Sequence, residues 1–208
     1  MHKHTRRSIK LQVAREAASM LYTQQEKEYK QAKLRAAKTL GTKSLPSNRD
    51  VAFELDRMGH EIEGPERADR LIQMRKDALW VMVILGDFHT RLIGSVWRGT
   101  ANKNSDIDVE VFASDQNSVL DTLTKNGLVI RTAQWRIVSK GSEPERVFQV
   151  HLTLPSKNEA ELIVRSLEKR DEAGVCEIYG DKVKGLGVHQ LRRVLLTDPL
   201  LKFVPTKD

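Results

Sequence analysis

Two aspartates, Asp106 and Asp108, stand two residues apart in the segment DIDVEVFAS, shortly after a Gly-Ser pair at Gly94 and Ser95. The alternation of acidic and apolar residues predicts a β-strand with both aspartate side chains on one face. Two carboxylates that lie so close together repel each other unless a cation lies between them. The pair therefore either faces water on an exposed strand or binds a metal ion.

A Gly-Ser turn ahead of such a strand adds a second chemical feature. Backbone N–H groups at the turn, where a helix begins, and the Ser95 hydroxyl can hold a phosphate group. Mg²⁺ is the expected cation, with Mn²⁺ as its substitute, because Mg²⁺ typically binds through one or two carboxylates together with substrate phosphates. Two such ions stabilise the attacking and the leaving oxygen of a phosphoryl or nucleotidyl transfer.

The segment GSVWRGTANKNSDIDVEV resembles the signature of the DNA polymerase beta-type nucleotidyltransferase superfamily, which has Gly-Ser, a spacer with Arg-Gly, and then Ser-Asp-x-Asp. It looks most like the small members of that superfamily and the archaeal type of CCA-adding enzyme. The resemblance implies that Asp106 and Asp108 are catalytic metal ligands and that Gly94 and Ser95 bind the triphosphate of an NTP substrate. It also implies a role for Arg98, either in contact with phosphate or in holding the loop.

The family has a third carboxylate on a later strand, and three glutamates compete for that place. Glu161 fits best, because in EAELIVRS it runs directly into an apolar strand. Glu159 lies on the same strand face, and Glu110 lies one step beyond the aspartate pair. The resemblance therefore implies Glu161 as the third catalytic residue and metal ligand, although the family more often has an aspartate there.

The surrounding sequence predicts helices first and then a sheet. Apolar spacing predicts one helix from about Leu11 to Leu40, a second that opens at a Ser47–Asp50 capping box, and a third that begins near Pro65. Beyond them the sequence predicts a short strand at 91–94, a strand around Ile107, a crossover helix over 118–126, strands over 128–139, 146–154 and 159–166, and a final helix over 188–196.

These elements predict an α+β protein, with a mixed β-sheet and flanking helices, and the resemblance implies that residues 65–208 form a nucleotidyltransferase catalytic domain. Residues 1–64 are predicted to form a basic helical extension. Its two predicted helices, the one that ends near Leu40 and the one that opens at Ser47, match either a helix-turn-helix that enters a nucleic-acid groove or a plain helical hairpin. The long linker between them favours the hairpin.

Positive charge is confined to the N-terminal quarter of the chain. Residues 1–50 hold 12 Lys and Arg against 4 Asp and Glu, a balance of +8, whereas residues 51–208 hold 23 against 24, a balance of −1; together they give the net charge of +7. Such an excess is either a solvated helix face or a binding surface for a polyanion. RNA, with a tRNA 3′ end as a specific case, is the expected acceptor on this basis.

Other features limit the location and the partners. The single cysteine, Cys176, excludes an internal disulfide, and no apolar run is long enough to cross a bilayer. The basic N-terminus has no apolar core behind it, so we expect a cytoplasmic protein without a secretory signal or a membrane partner. Trp80, Trp97 and Trp135 are scattered along the chain and are expected in the core.

The expected reaction is transfer of an NMP from an NTP, such as ATP, to a hydroxyl acceptor, with release of pyrophosphate. One alternative keeps the chemistry but has a protein or a small molecule as acceptor. The other is a non-catalytic protein that retains the fold and binds a nucleotide or nucleic acid.

Overall fold

The computed structural model describes residues 2–139 and 144–206, in which four helices are followed by five strands with three further helices. The helices are α1 (His2–Tyr22), α2 (Tyr29–Thr39), α3 (Asn48–Glu63), α4 (Glu66–Ile84), α5 (Gly94–Arg98), α6 (Gln116–Lys125) and α7 (Val188–Thr197). The strands are β1 (His89–Ile93), β2 (Ile107–Ala113), β3 (Val129–Ser139), β4 (Pro144–Thr153) and β5 (Glu159–Ser166), and a 3-10 helix spans Leu167–Asp171.

The strands form a single mixed sheet in the order β1-β2-β5-β4-β3. β2 and β5 run parallel, whereas β1–β2, β5–β4 and β4–β3 are antiparallel. The prediction of an α+β fold with a mixed sheet and flanking helices is confirmed.

One face of the sheet is apolar and the other is polar, because side chains alternate along each strand. Ile107, Val109 and Val111 of β2 are fully buried. They share one core with apolar residues of α4, α6 and α7, among them Met74, Leu123 and Leu191. The opposite face of β2 carries Asp108 and Glu110, and the same face of β5 carries Glu161. The acidic residues of interest therefore lie away from the hydrophobic core.

The described chain divides into two compact units. The first runs to Arg67 and also includes Asn102–Asn104 and Glu177–Gly180, and the second contains the remaining residues from Ala68 onward. The assignment of residues 1–64 as an extension and 65–208 as a catalytic domain stays a prediction about what these parts do.

Within the first unit, α1, α2 and α3 pack through small and aliphatic side chains such as Ala14, Ala36 and Val51. Its short segment at 102–104 is held by hydrogen bonds: the backbone N–H of Lys103 donates to Glu63 Oε1, and the Asn104 side-chain amide donates to the carbonyl of Tyr22. The Tyr22 hydroxyl donates to the same Glu63 oxygen. This unit therefore fixes the residues that directly precede the aspartate motif in sequence.

The prediction of one helix from Leu11 to Leu40 is wrong, since the chain turns between α1 and α2. Gln24 adopts a left-handed backbone conformation with φ of +57°, and the N–H groups of Gln25 and Glu26 both donate to the carbonyl of Met20. These hydrogen bonds close α1. The same apolar spacing then resumes in α2, so the two helices read as one in the sequence.

The predicted start of the next helix is confirmed. The Ser47 hydroxyl accepts from the N–H of Asp50, and the Asp50 carboxylate accepts from the N–H of Ser47, as a capping box requires. Gly59 lies inside α3, and Gly64 ends it.

Two of the three tryptophans were predicted wrongly. Trp97 is buried, at 5% exposure, but Trp80 and Trp135 are 42% and 45% exposed. Within the described residues, none of the helices combines the length and the hydropathy that crossing a bilayer requires.

Candidate active site

The Gly-Ser pair forms the turn between β1 and α5. β1 ends at Ile93, and Gly94 opens α5 with a φ of +70°, a left-handed conformation that glycine adopts without strain. A Cβ atom at this position would overlap the carboxylate of Asp108. Glycine is required here twice over, by its backbone conformation and by the closeness of the aspartate.

The sheet register brings the sequence-predicted residues into one row. Ile93 pairs with Asp108 across the antiparallel β1–β2 ladder, and Asp108 pairs with Glu161 across the parallel β2–β5 ladder. Residues paired in neighbouring strands extend from the same face of a sheet. The Gly-Ser turn, Asp108 and Glu161 are therefore adjacent even though about 50 residues separate the second aspartate from the glutamate.

Asp106, Asp108 and Glu161 form a compact group of carboxylates. One oxygen from each lies within 4.8 Å of the corresponding oxygens of the other two. Three negative charges at this spacing repel one another unless a cation compensates them. Carboxylate oxygens are the ligands that Mg²⁺ and Mn²⁺ prefer, so the donor set fits a hard divalent cation. We call these three residues the acidic triad.

The two alternative glutamates have other partners. Glu159 accepts hydrogen bonds from the Thr153 hydroxyl at 3.2 Å and pairs with Arg131 at 3.3 Å. Glu110 is 7% exposed and pairs with Arg91 at 2.8 Å and with Arg165 at 2.9 Å. Both carboxylates are thus neutralised by arginine, which leaves Glu161 as the glutamate that lies with the aspartates.

The Glu110 pairs belong to a larger ion network on the polar face of the sheet. Arg165 also donates to both carboxylate oxygens of Glu145, through its Nε and Nη2 atoms. Burial acts to lower the pKa of Arg165, but hydrogen bonding to Glu145 and the charge of Glu110 raise the pKa above its ordinary value. This network links β2 and β5 beside the acidic triad.

Arg98 holds the loop region rather than facing an open site. It is 4% exposed, and its guanidinium donates to both carboxylate oxygens of Asp181, at 2.8 and 2.7 Å, and to the carbonyl of Phe203 at 2.8 Å. Burial acts to lower the pKa of Arg98, but hydrogen bonding to Asp181 keeps it raised. Of the two roles that the resemblance implied, this geometry matches the one in which the arginine holds the loop.

A second arginine, which the sequence analysis did not identify, also holds the C-terminal end of α5. Arg75 is fully buried and donates to four backbone carbonyls: those of Val96 at 3.1 Å, Trp97 at 3.0 Å, Pro199 at 2.7 Å and Leu201 at 2.8 Å. Burial lowers its pKa to about 10, so the side chain stays charged at neutral pH. Arg75 therefore caps the C-terminal carbonyls of α5 and ties them to the C-terminal segment.

None of the protein-family models matches the chain, and neither does any curated protein. Among solved structures, the chain is similar to the Cid1 poly(U) polymerase, with 18% identity over 47% of this chain and a TM-score of 0.33. It is also similar to a cytoplasmic RNA terminal U-transferase, with 19% identity over 47% of this chain and a TM-score of 0.33. A third similar structure is the non-canonical poly(A) polymerase complex GLD-2–GLD-3, with 16% identity over 55% of this chain and a TM-score of 0.33. The chain spans 31% of the length of the first two chains and 40% of the third.

Proposed function

We propose that this protein is a metal-dependent nucleotidyltransferase. It would transfer an NMP from an NTP to a hydroxyl acceptor and release pyrophosphate. One observation carries the proposal: the acidic triad, with its oxygens within 4.8 Å of one another, lies beside the Gly-Ser turn through the pairing of Ile93 with Asp108. The signature of the nucleotidyltransferase superfamily requires this combination of a phosphate-binding turn and clustered carboxylates.

Asp106, Asp108 and Glu161 would hold Mg²⁺ or Mn²⁺. When bound, the ions would stabilise the negative charge that develops on the phosphate and acceptor oxygens. Gly94 leaves the backbone open to the triphosphate, and the Ser95 hydroxyl would donate a hydrogen bond to it. The acceptor oxygen forms a bond to the α-phosphorus, the bond from that phosphorus to pyrophosphate breaks, and the acceptor hydroxyl loses its proton. Glu161 would favour that proton loss, because a carboxylate beside the hydroxyl stabilises the departing proton.

Arg98 would contribute to NTP binding by holding α5 in position. Its bonds to Asp181 and to the carbonyl of Phe203 fix the C-terminal end of α5, the helix that Gly94 and Ser95 open. A charged side chain that is 4% exposed and paired with a carboxylate is better suited to this role than to direct contact with phosphate.

RNA is the proposed acceptor, and the tRNA 3′ end is the narrower form of that proposal. The balance of +8 over residues 1–50 supports a polyanionic partner. In this proposal residues 65–208 catalyse the reaction, and residues 1–64 contribute to acceptor binding. The single cysteine in the sequence supports a reducing, cytoplasmic location.

The test is incorporation of each of the four α-³²P-labelled NTPs, with Mg²⁺ or Mn²⁺, into total cellular RNA and into the protein itself. We expect label in RNA from the wild type, and loss of about a hundredfold or more in D106A/D108A, since a lost metal ligand removes most of the transition-state stabilisation. Label in protein instead of RNA would show that the acceptor is a protein. A mutant that labels as fast as the wild type would refute the proposed enzyme and favour a non-catalytic binding protein.

A further inference from the structure

The hairpin of β3 and β4 extends beyond the rest of the sheet. β4 pairs with β5 from Phe148 to Thr153, but the pairing of β3 with β4 continues as far as Ser139 and Pro144. Residues 131–137 of β3 are all exposed. We call residues 131–138 and 144–148 the β3–β4 arm. In the described part of the chain β3 is an edge strand: it pairs with β4 on one side, and no strand pairs with its other side.

Trp135 is a large aromatic side chain on the surface of this arm. It is 45% exposed, and the guanidinium carbon of Arg146 lies 4.2 Å from the centre of its ring. Phe148 supports it from below, with ring centres 5.3 Å apart. Trp97 and Arg98 form a cation–π pair at the same distance of 4.2 Å, but that tryptophan is 5% exposed and belongs to the core. The Trp135 pair has the same distance but lies on an exposed surface.

Positive charge lies on both faces of the arm. Arg146 is exposed on the face of the ring, Arg136 is exposed on the other face of β3, Arg131 is paired with Glu159, and the acidic residue of the arm, Glu145, is bound by Arg165. Ile137 adds an apolar surface, at 75% exposure. An aromatic ring backed by a guanidinium and flanked by cations matches the chemistry of a stacked nucleobase with its phosphates.

We propose that the β3–β4 arm binds single-stranded nucleic acid. One base stacks against Trp135 and the guanidinium plane of Arg146, and a neighbouring phosphate pairs with Arg136, which extends from the other face of the same edge strand. Trp135 pairs with Phe148, whose partner in β5 is Val164, so the ring extends from the apolar side of the sheet, opposite to Glu161. The arm is therefore a binding surface separate from the acidic triad, and it operates whether or not the proposed transfer reaction takes place.

A second copy of this chain fits the arm less well than a polyanion does. Antiparallel pairing of two β3 strands about Ala133 and Gln134 would place Arg131 of each copy opposite Arg136 of the other. Like charges directly opposite each other destabilise a strand pair. An acidic peptide would satisfy the arginines but would leave the exposed ring of Trp135 without a planar partner.

The test is fluorescence anisotropy of fluorescein-labelled 15-nucleotide oligo-U RNA, oligo-dT DNA and an RNA duplex with the full chain, without NTP or divalent cation. Trp80 supplies the matched control, since it is 42% exposed and lies on α4 beside Leu128 and Pro155, which precede β3 and follow β4 and so lie outside the arm. We expect W135A to weaken binding of the single strands about fivefold or more, which is the lower range for loss of one stacked base. W80A should bind like the wild type, and W135F should retain most of the affinity because it keeps a ring.

Equal affinities of the wild type and W135A for both single strands would overturn the proposal, as would equal losses in W135A and W80A. Tighter binding of the duplex than of either single strand would also overturn it, because a paired base cannot stack on Trp135. A difference between oligo-U and oligo-dT identifies the physiological strand. If W135A changes the molar mass in light scattering, or the affinity for poly-glutamate, but not for the oligonucleotides, the arm is a protein interface instead. Since the assay needs no NTP, its failure is distinguishable from failure of the proposed reaction.

Discussion

Gly94 and Asp108 constrain each other in the candidate site. The glycine has a left-handed backbone, and its missing side chain leaves the space that the Asp108 carboxylate occupies. The position of this aspartate beside Glu161 therefore depends on a residue that contributes no functional group of its own. Gly127 has nearly the same φ, +71° against +70°, but a Cβ atom there would meet nothing within 4 Å.

This contrast gives a prediction at the scale of single residues. G94A should abolish most of the divalent-cation binding of the acidic triad, because the new methyl group displaces Asp108. G127A should leave that binding unchanged and cost about 1–2 kcal/mol of unfolding free energy, the ordinary penalty for a left-handed alanine. Isothermal titration with Mn²⁺ and urea denaturation of both variants measure the two effects. Equal cation affinities in G94A and G127A would contradict the proposed closeness of Gly94 and Asp108.

At the scale of elements, the short helix α5 depends on two buried arginines. Arg98 binds Asp181, and Arg75 donates to the carbonyls of Val96 and Trp97 at the C-terminal end of the helix. A five-residue helix has little stability of its own, so tertiary contacts must hold it in place. These contacts fix α5, and with it the Gly-Ser turn at its start.

R75M should lower the free energy of unfolding by about 3 kcal/mol or more, since it leaves several buried carbonyls without a donor. The neighbouring Lys76 is exposed on the same helix, and K76M should therefore change stability by less than about 0.5 kcal/mol. Urea denaturation followed by circular dichroism compares the two variants. An R75M protein as stable as K76M would show that the four carbonyl contacts contribute little.

The sequence predicted those elements whose signals are local. The Ser47–Asp50 capping box and the alternation of Ile107, Val109 and Val111 each specify a structure within a few residues, and both predictions are confirmed. The turn after α1 was missed because it interrupts the helix without changing the apolar spacing on either side. Arg75 was also missed, although its place four residues after Leu71 on the apolar side of α4 was a usable signal.

The sequence did not predict which side chains are exposed or which strands far apart in the chain pair with each other. Nothing in the residues around Trp135 distinguishes a core tryptophan from one on a strand that extends past the sheet. The choice of Glu161 over Glu159 rested on the family pattern, whereas in the structure it follows from the register that pairs Glu161 with Asp108. The sequence predicted a polar face for β2 and for β5, but local sequence does not specify the register in which the two strands pair.

At the scale of the whole molecule, the net positive charge lies in the N-terminal quarter of the chain. Residues 1–50 carry a balance of +8, and the remainder carries −1. Lys27, Lys30 and Lys38 are exposed on or next to α2, where a polyanion can reach them. In this account the N-terminal quarter supplies the electrostatic attraction for an RNA acceptor, and the acidic triad supplies the chemistry.

The triple variant K27Q/K30Q/K38Q tests whether these N-terminal lysines bind RNA phosphates. If these lysines neutralise phosphates, the slope of log affinity against log salt concentration for a single-stranded RNA should fall in magnitude by about 2, at about 0.7 for each lost contact. The matched control is K76Q/K125Q/K157Q, which removes three exposed lysines from the later part of the chain and should keep the wild-type slope. Equal slopes in the two triple variants would show that the N-terminal charge is a solvated surface.

The central claim is that Asp106, Asp108 and Glu161 hold a divalent cation, and a Mn²⁺ titration followed by electron paramagnetic resonance tests it without knowledge of the acceptor. The account predicts at least one bound Mn²⁺ per chain, bound more tightly when a non-hydrolysable NTP analogue is present. The ion should be lost in D108N and in E161Q, and retained in E159Q, whose glutamate pairs with Arg131. Bound Mn²⁺ that survives in D108N and E161Q, or no bound Mn²⁺ in the wild type with the analogue, would contradict the account.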